Sequence, residues 1–232
     1  MPQDLVNQTV VVIGGSNGLG AAVATLAQEH GARVVALSRS GRGPAKVESI
    51  AADVSDVMAL RKAFESVGAV DHLVHTAGAR TPSPALSQIE EKVLTLTFGA
   101  KLFGAINAIQ AALPYMSEHA SITLTSGQVS RKYGIGTFIK GAVNSAVDAA
   151  GQHLAKELAP RRVNVVSPGV VDTSLWGEAG SEGRAAVMAR ASSVLPVKRA
   201  GTPAELAAAY LFAMTNGFVT GAVLDVNGGG LL

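Results

Sequence analysis

A chain of 232 residues with 48% hydrophobic and 16% charged side chains can bury one substantial core, which excludes a disordered polymer. The formal net charge is only +2, with the basic residues scattered, so neither a nucleic-acid surface nor a membrane-binding patch is indicated. There is no cysteine, which excludes disulfides and thiolate metal sites. The start Met1–Leu5 has no basic stretch followed by an apolar one, and no uninterrupted apolar run approaches the roughly 20 residues of a membrane helix. A cytoplasmic protein folding as one domain over 1–232 is therefore expected.

The first predicted element is a β-branched run, Thr9–Ile13. It enters a turn carrying Gly14, Gly15, Gly18 and Gly20, and a helical pattern over Leu19–Glu29 follows. Strand, glycine turn and helix together make a cradle for a dinucleotide pyrophosphate. Glycines let the backbone approach the phosphates, and the free amides at the helix start bind the anion. Gly14, Ser16, Asn17, Gly18, Leu19 and Gly20 are the candidate contacts. A second strand, Arg33–Leu37, leads into Ser38-Arg39-Ser40. A site selective for NAD would carry a carboxylate about here, to accept from the ribose 2′-hydroxyl. Arg39 suits a 2′-phosphate instead, so NADP(H) is preferred over NAD(H).

A third strand, Lys46–Ala51, ends at Asp53 and Val54, where the Asp53 carboxylate can accept from an adenine amino group. Ser55 or Asp56 is better placed to cap the helix expected over Val57–Val67. The fourth strand, Val70–Thr76, gives way to Ala77 and Gly78, small residues where a ribose passes close to the backbone. One helix is expected over Ser87–Ala112, a strand at Ser121–Thr125 and a helix over Thr137–Leu158. A strand at Val163–Val166 precedes a long irregular stretch, Pro168 to Val197, which has the length of a substrate lid. A helix over Ala204–Met214, with Thr202 as cap and Pro203 at its first position, and a strand at Ala222–Val226 complete the chain. Apolar strands alternating with helices give a parallel, doubly wound sheet covered on both faces, with ligands beyond the carboxyl ends of the strands.

The landmarks G-G-S-N-G-L-G, A-D-V-S-D, T-A-G, A-A-L-P-Y-M, L-T-S-G, K-G-A-V, V-N-V-V-S-P-G-V-V-D-T, R-A-G-T-P-A-E-L and T-G-A-V-L-D-V-N-G-G follow one another in order. In this the chain resembles the short-chain dehydrogenase/reductase family over nearly its whole length. The resemblance implies a Rossmann-type fold with a seven-stranded parallel sheet, a nicotinamide cofactor, a small-molecule substrate and a homodimer or homotetramer. It also implies that Thr173 bonds the nicotinamide amide and that Pro168, Gly169 and Val171 line its ring.

Family members carry Ser, Tyr, Lys and Asn in the active site. Ser126 fits the serine, and Lys140 fits the lysine that grips the nicotinamide ribose. Gly136 stands four residues before Lys140, where the tyrosine would be, and Lys101 stands at the asparagine position. Tyr133 is the nearest replacement acid, although Gly134 and Gly136 oppose a continuous helix from it to Lys140. Lys101 is the other: beside Lys140, like charge and desolvation would lower its pKa toward the working range of an acid. Arg131 and Lys132 add positive charge near the same mouth, which would suit an anionic substrate. No histidine pair shows metal spacing, and His75 reads as a structural filler beside the cofactor. Three readings stay open: an NADP(H)-dependent oxidoreductase acting on a carbonyl or alcohol substrate with an altered proton donor; a non-catalytic NADP(H)-binding redox sensor; and a lyase or isomerase that uses the nucleotide as scaffold.

Overall fold

The computed structural model describes residues 4–232. Seven strands, β1 (Thr9–Ile13), β2 (Arg33–Ser38), β3 (Glu48–Ala51), β4 (Val70–His75), β5 (Met116–Thr125), β6 (Arg162–Pro168) and β7 (Val223–Val226), form one sheet. Its order is β3-β2-β1-β4-β5-β6-β7, and every pairing is parallel. This is the doubly wound Rossmann-type sheet expected from the alternation of strands and helices. The order reverses between β1 and β4, so the crevice that accepts a ligand opens there, above the glycine turn.

Side chains alternate across each strand, and two cores result. Val11, Ile13, Val35, Leu37, Leu73, Ile122 and Leu124 face one side, where they meet Leu60 and Phe64 of α2 (Val57–Val67), Ala108 and Ile109 of α4 (Gly104–Ala112) and Val147 of α5 (Phe138–Glu157). Val10, Val12, Val34, Val74 and Val166 face the other, against Val23 and Ala27 of α1 (Gly18–Glu29) and Leu206 and Tyr210 of α7 (Pro203–Thr215). Two helix starts are fixed by side chains. Asp56 accepts from the amides of Met58 and Ala59, at 3.0 and 2.9 Å. Thr202 and Glu205 form a reciprocal capping box ahead of α7, with Pro203 at its first turn.

The structure departs from the sequence reading in four places. The helix expected over Ser87–Ala112 is divided into a 3₁₀ turn (Leu86–Gln88), α3 (Glu91–Phe98), a π-helical turn (Gly99–Phe103) and α4. Glycines bracket the π turn, and a side chain at Gly104 would strike Val54 Cγ2 at 2.5 Å. Without a Cβ, α4 can lie close against the loop after β3. By length and composition the helical stretch Glu91–Tyr115 is apolar enough to cross a membrane, but it places Ala105, Ala108, Ile109 and Ala112 in the core. Second, the Pro168–Val197 stretch is not irregular: it holds a 3₁₀ turn (Ser174–Trp176) and α6 (Glu182–Val194). An Arg184–Asp172 ion pair at 2.6 Å ties α6 to the strand end. Third, β3 begins at Glu48 rather than Lys46, which has φ +67° and cannot extend the strand. Fourth, β5 starts at Met116, which pairs with Val70 across a register shift.

His72 lies inside the sheet's amino-terminal end. Its Nε2 faces Gln8 Oε1 at 2.6 Å and its Nδ1 faces the Ser121 hydroxyl at 2.7 Å. The neutral ring thus donates through Nε2 and accepts through Nδ1. Burial pushes its pKa down from 6.5 to about 4, with the Asp71 carboxylate opposing and Arg162 assisting. Because the folded pKa lies below the unfolded one, this stabilisation is complete above pH 6.5 and is lost as pH falls toward 4. Thermal melts from pH 7 to 4 should therefore show a progressive loss, on the order of 3 kcal/mol from this ring. A His72→Gln variant should show a flatter pH profile; a slope as steep as in the parent chain would count against the assignment.

Candidate active site

The carboxyl ends of β1 and β4 meet in van der Waals contact through glycine. Gly14, at φ +83°, is so placed that a Cβ would lie 2.8 Å from the Ala77 amide nitrogen and 2.9 Å from Thr76 Oγ1. A Cβ on Gly20 would strike the Gly14 carbonyl and, at 2.5 Å, Thr76 Oγ1. Thr76 Oγ1 in turn donates to the Ile13 carbonyl at 2.9 Å. A Cβ on Gly18, at φ +55°, would lie 3.9 Å from the Thr173 side chain. The turn and the Pro168–Thr173 segment therefore lie on opposite walls of one crevice. Ser16 and Leu19 are half-buried on the turn. Asn17 is exposed at the start of α1 and makes no side-chain capping bond, so that helix end has amides to offer an anion. Space above Gly78 is open to 4 Å, and Gly169 packs on Asn227 so tightly that a Cβ would meet its Cα at 2.6 Å. Val171 and Thr173 are buried beside it.

The other end of the crevice is formed by β2 and β3. Ser38 Oγ donates to the Arg42 carbonyl at 2.8 Å and accepts from the Arg42 amide at 3.1 Å, and Ser40 Oγ lies 3.4 Å from Ser38 Oγ. These bonds shape a tight loop that leaves Arg39 exposed. Asp53 Oδ1 accepts from the Ser55 amide and hydroxyl, at 2.9 and 2.7 Å. These bonds hold its carboxyl below the ordinary carboxylate range, and the charge of Arg39 adds to the effect. Asp53 and Arg39 thus lie near enough for their charges to interact. Val54 packs on Gly104 and accepts from Asn107 Nδ2 at 3.0 Å. A narrow cradle made by residues without a Cβ and a helix start with free amides together fit a dinucleotide.

At the reaction end, the Ser126 amide donates to Val166 at 2.9 Å, continuing the β5–β6 ladder past the strand end. The Ser126 hydroxyl is buried and has no partner among the described residues. The π turn brings Lys101 back to the same spot, where its ammonium donates to the Ser126 carbonyl at 2.8 Å. Burial pushes the Lys101 pKa down from 10.5 to about 8, with the Asp148 carboxylate opposing and the Lys140 ammonium assisting. Lys140, in the first turn of α5, is half-buried, and burial lowers its pKa too. The structure therefore brings Lys101 onto Ser126, with Lys140 near enough for its charge to act on Lys101.

Tyr133 stands apart: it is 88% exposed, in a loop that ends only when α5 begins at Phe138. Gly136 has φ +74°, and a Cβ there would lie 2.9 Å from the Ser83 carbonyl. Arg131 and Lys132, expected to add charge at the mouth, are both engaged elsewhere. Arg131 forms a two-bond ion pair with Asp225 at 2.5 and 2.8 Å, and Lys132 donates to the Gly230 carbonyl at 2.8 Å. His75 is fully enclosed, and burial, with Lys101 assisting, pushes its pKa down to about 4, so its ring is neutral. Asn144 and Asp148 escaped the sequence reading, although their spacing from Lys140, four and eight residues along one helix, was a visible signal. Asn144 lies against Gly127, next to Ser126.

Tyrosine cannot simply be restored at position 136. We expect Gly136→Tyr to cost about 1–2 kcal/mol in a thermal melt, from the left-handed backbone and the Ser83 contact, and to raise no carbonyl turnover. A stable, more active variant would show that the loop accepts the side chain.

Comparison with known proteins agrees with this geometry. The family model described as enoyl-(acyl carrier protein) reductase matches residues 14–230. A short-chain dehydrogenase/reductase, ATR9, of Stachybotrys chlorohalonatus is 34% identical, with 97% of each chain covered. Carbonyl reductase family member 4 of Danio rerio is 32% identical over 96% of this chain and 98% of its own. Among solved structures, a small-chain dehydrogenase in complex with NADPH superposes with a TM-score of 0.88, at 39% identity, covering 97% of this chain and 98% of that one. With its parallel sheet, its glycine cradle and relatives that match it end to end, the chain belongs to the short-chain dehydrogenase/reductase family of oxidoreductases.

Proposed function

We propose that the protein is an NADP(H)-dependent reductase of a carbonyl substrate, or an oxidant of the corresponding alcohol, whose proton donor is Lys101. The observation that carries this reading is the half-buried Lys101 ammonium held on the Ser126 carbonyl, beside a Ser126 hydroxyl with no partner among the described residues. NADPH, when bound, supplies a hydride to the carbonyl carbon. Ser126 orients the carbonyl oxygen through its hydroxyl. Lys140 holds the nicotinamide ribose from the first turn of α5. Lys101 gives its proton to the oxygen as negative charge develops there, and a pKa near 8 suits a donor at neutral pH. Gly14, Ser16, Asn17, Gly18, Leu19 and Gly20 carry the pyrophosphate. Asp53, Val54, Ala77 and Gly78 hold the adenosine half, and Pro168, Gly169, Val171 and Thr173 the nicotinamide. Ser38, Arg39 and Ser40 take the 2′-phosphate, and the NADPH complex of the 39% identical relative supports that preference. The exposed apolar Leu96, Phe103 and Ile106 along α3 and α4 support assembly as a homodimer or homotetramer, and we place the protein in the cytoplasm.

A second reading, a non-catalytic NADP(H)-binding redox sensor, draws on one specific observation. Tyr133, in the loop before α5, is 88% exposed, and the residue four before Lys140 is a glycine that no side chain can replace without strain. Such a sensor would bind NADPH and NADP⁺ with different affinity and oxidise no NADPH with any carbonyl.

Arg39→Ala should weaken NADPH about 10- to 100-fold in a fluorescence titration and leave NADH nearly unchanged, since only NADPH loses charge-assisted bonds. Equal losses for both would remove the 2′-phosphate assignment. Against a panel of ketones and aldehydes, Lys101→Met should slow NADPH oxidation by about 10²- to 10⁴-fold. In the parent chain the rate should fall as pH rises through about 8, where the ammonium is lost. Turnover unchanged in Lys101→Met would refute the donor assignment, and no turnover by the parent chain would put the sensor reading first.

A further inference from the structure

Behind the Pro168–Thr173 segment lies a cavity of about 120 Å³ that the cofactor cradle does not use. Its walls are Val170 after β6, Leu195 and Val197 after α6, Leu206 in the first turn of α7, Val226 at the end of β7, and Gly228. Protein interiors leave few voids larger than a water molecule, so a space of this size forfeits contacts that its lining could make. The polar groups around it are matched among themselves. Arg199 and Glu205 form a two-bond ion pair at 2.9 and 2.5 Å, and Glu205 also accepts from the Thr202 amide at 2.8 Å. Asn227 Oδ1 accepts from the Gly229 and Gly230 amides, at 3.0 Å each. What the cavity offers a guest is therefore aliphatic surface. An apolar cavity of about 150 Å³ holds benzene, so this one suits a guest of that size or slightly smaller.

The cavity shares a wall with the crevice. Gly201, which also lines it, donates its amide to the Val170 carbonyl at 2.9 Å and accepts from the Asp172 amide at 2.9 Å, so it is bridged to the backbone on both sides of Val171. The Gly169 amide donates to the Val226 carbonyl at 3.0 Å, and the Trp176 indole donates to the Val171 carbonyl at 2.8 Å. A guest in the cavity thus touches the same backbone that leads to Thr173. We propose that this cavity is a second ligand site, which takes a small uncharged arene or branched hydrocarbon chain, and that its occupant steadies the Val170–Thr173 backbone. The effect on the cofactor rests on the reading of this segment as the nicotinamide wall. With the cavity filled, Val170 has less space to move into, and a cofactor that needs the wall ordered has less ordering left to do. Each ligand then favours the other, by the same factor in either order of binding.

Benzene is the probe, titrated into the ¹⁵N-labelled full chain without cofactor. Trp176 is the only tryptophan of the chain, so its indole N–H gives a single resonance, and that resonance reports on the Val171 carbonyl. Saturable shifts of the Gly201 and Gly228 amides are expected, together with a shift of the Trp176 indole. Val197→Phe, which adds a ring at the cavity wall, should abolish them while the other resonances stay in place. In a separate fluorescence titration, NADPH should bind the parent chain about 5-fold or more tightly when benzene is present, and Val197→Phe should show no such gain. Gly201 and Gly228 amides that benzene does not move, or moves equally in Val197→Phe, would overturn the site; a side chain of a second copy seated there would give that result. Amides that move without the Trp176 indole, or an NADPH affinity that benzene leaves unchanged, would overturn the link to the wall. A parent chain that binds no NADPH would count against the reductase reading alone, and the Trp176 resonance would still decide the inference.

Discussion

The structure turns on one close approach: the Gly14–Gly20 turn pressed against Thr76 and Ala77 at the end of β4. It is possible only because both glycines lack a Cβ and because Thr76 Oγ1 is anchored on Ile13. Once the two strand ends meet there, the crevice between β1 and β4 is narrow, and the start of α1 points its amides along it. The β-branched strands set the spacing of the sheet. The capped α2 and α7 close the two faces beneath it, and the Thr173 wall rises opposite Gly18. This packing makes a glycine cradle beside free helix-start amides, a shape that suits a dinucleotide.

The reaction end rests on a different balance. A lysine ammonium inside a protein is costly unless it is paired or can lose its proton. Lys101 has a single hydrogen-bond acceptor, the Ser126 carbonyl, with Asp148 as counter-charge and Lys140 as repulsion. The outcome is an ammonium whose pKa is pushed down from 10.5 to about 8. The π turn makes this possible, since a regular helix through Gly99–Phe103 would rotate Lys101 relative to α3 and away from its present direction.

Much of this was legible in the sequence because its cause is local. The β-branched Thr9–Ile13 run, the glycine spacing, Asp56 as cap and the Thr202–Glu205 box act within a few residues, and they stand where they were expected. Helix α6 was missed because Glu182–Val194 lacks a clear apolar stripe and is anchored by an ion pair from Arg184 to a distant loop. The π turn was missed because helix periodicity does not distinguish it from an α turn, and the close approach of Gly104 to Val54, fifty residues earlier, leaves no local mark in the sequence. Arg131 and Lys132 read as mouth charges, since their partners Asp225 and Gly230 lie at the far end of the chain. Lys101 and Tyr133 both stood as candidate proton donors in the sequence, and only the folded chain separates a half-buried lysine held on the Ser126 carbonyl from an exposed phenol.

The measurement that tests the central claim most directly is a crystal structure of the protein with NADPH bound. The Lys101 ammonium should lie within about 3.2 Å of the point beside Ser126 Oγ where a carbonyl oxygen would rest over the nicotinamide, with Tyr133 still in solvent. Apolar side chains filling that point, or a loop movement carrying the Tyr133 hydroxyl into it, would contradict the assignment of Lys101 as the proton donor.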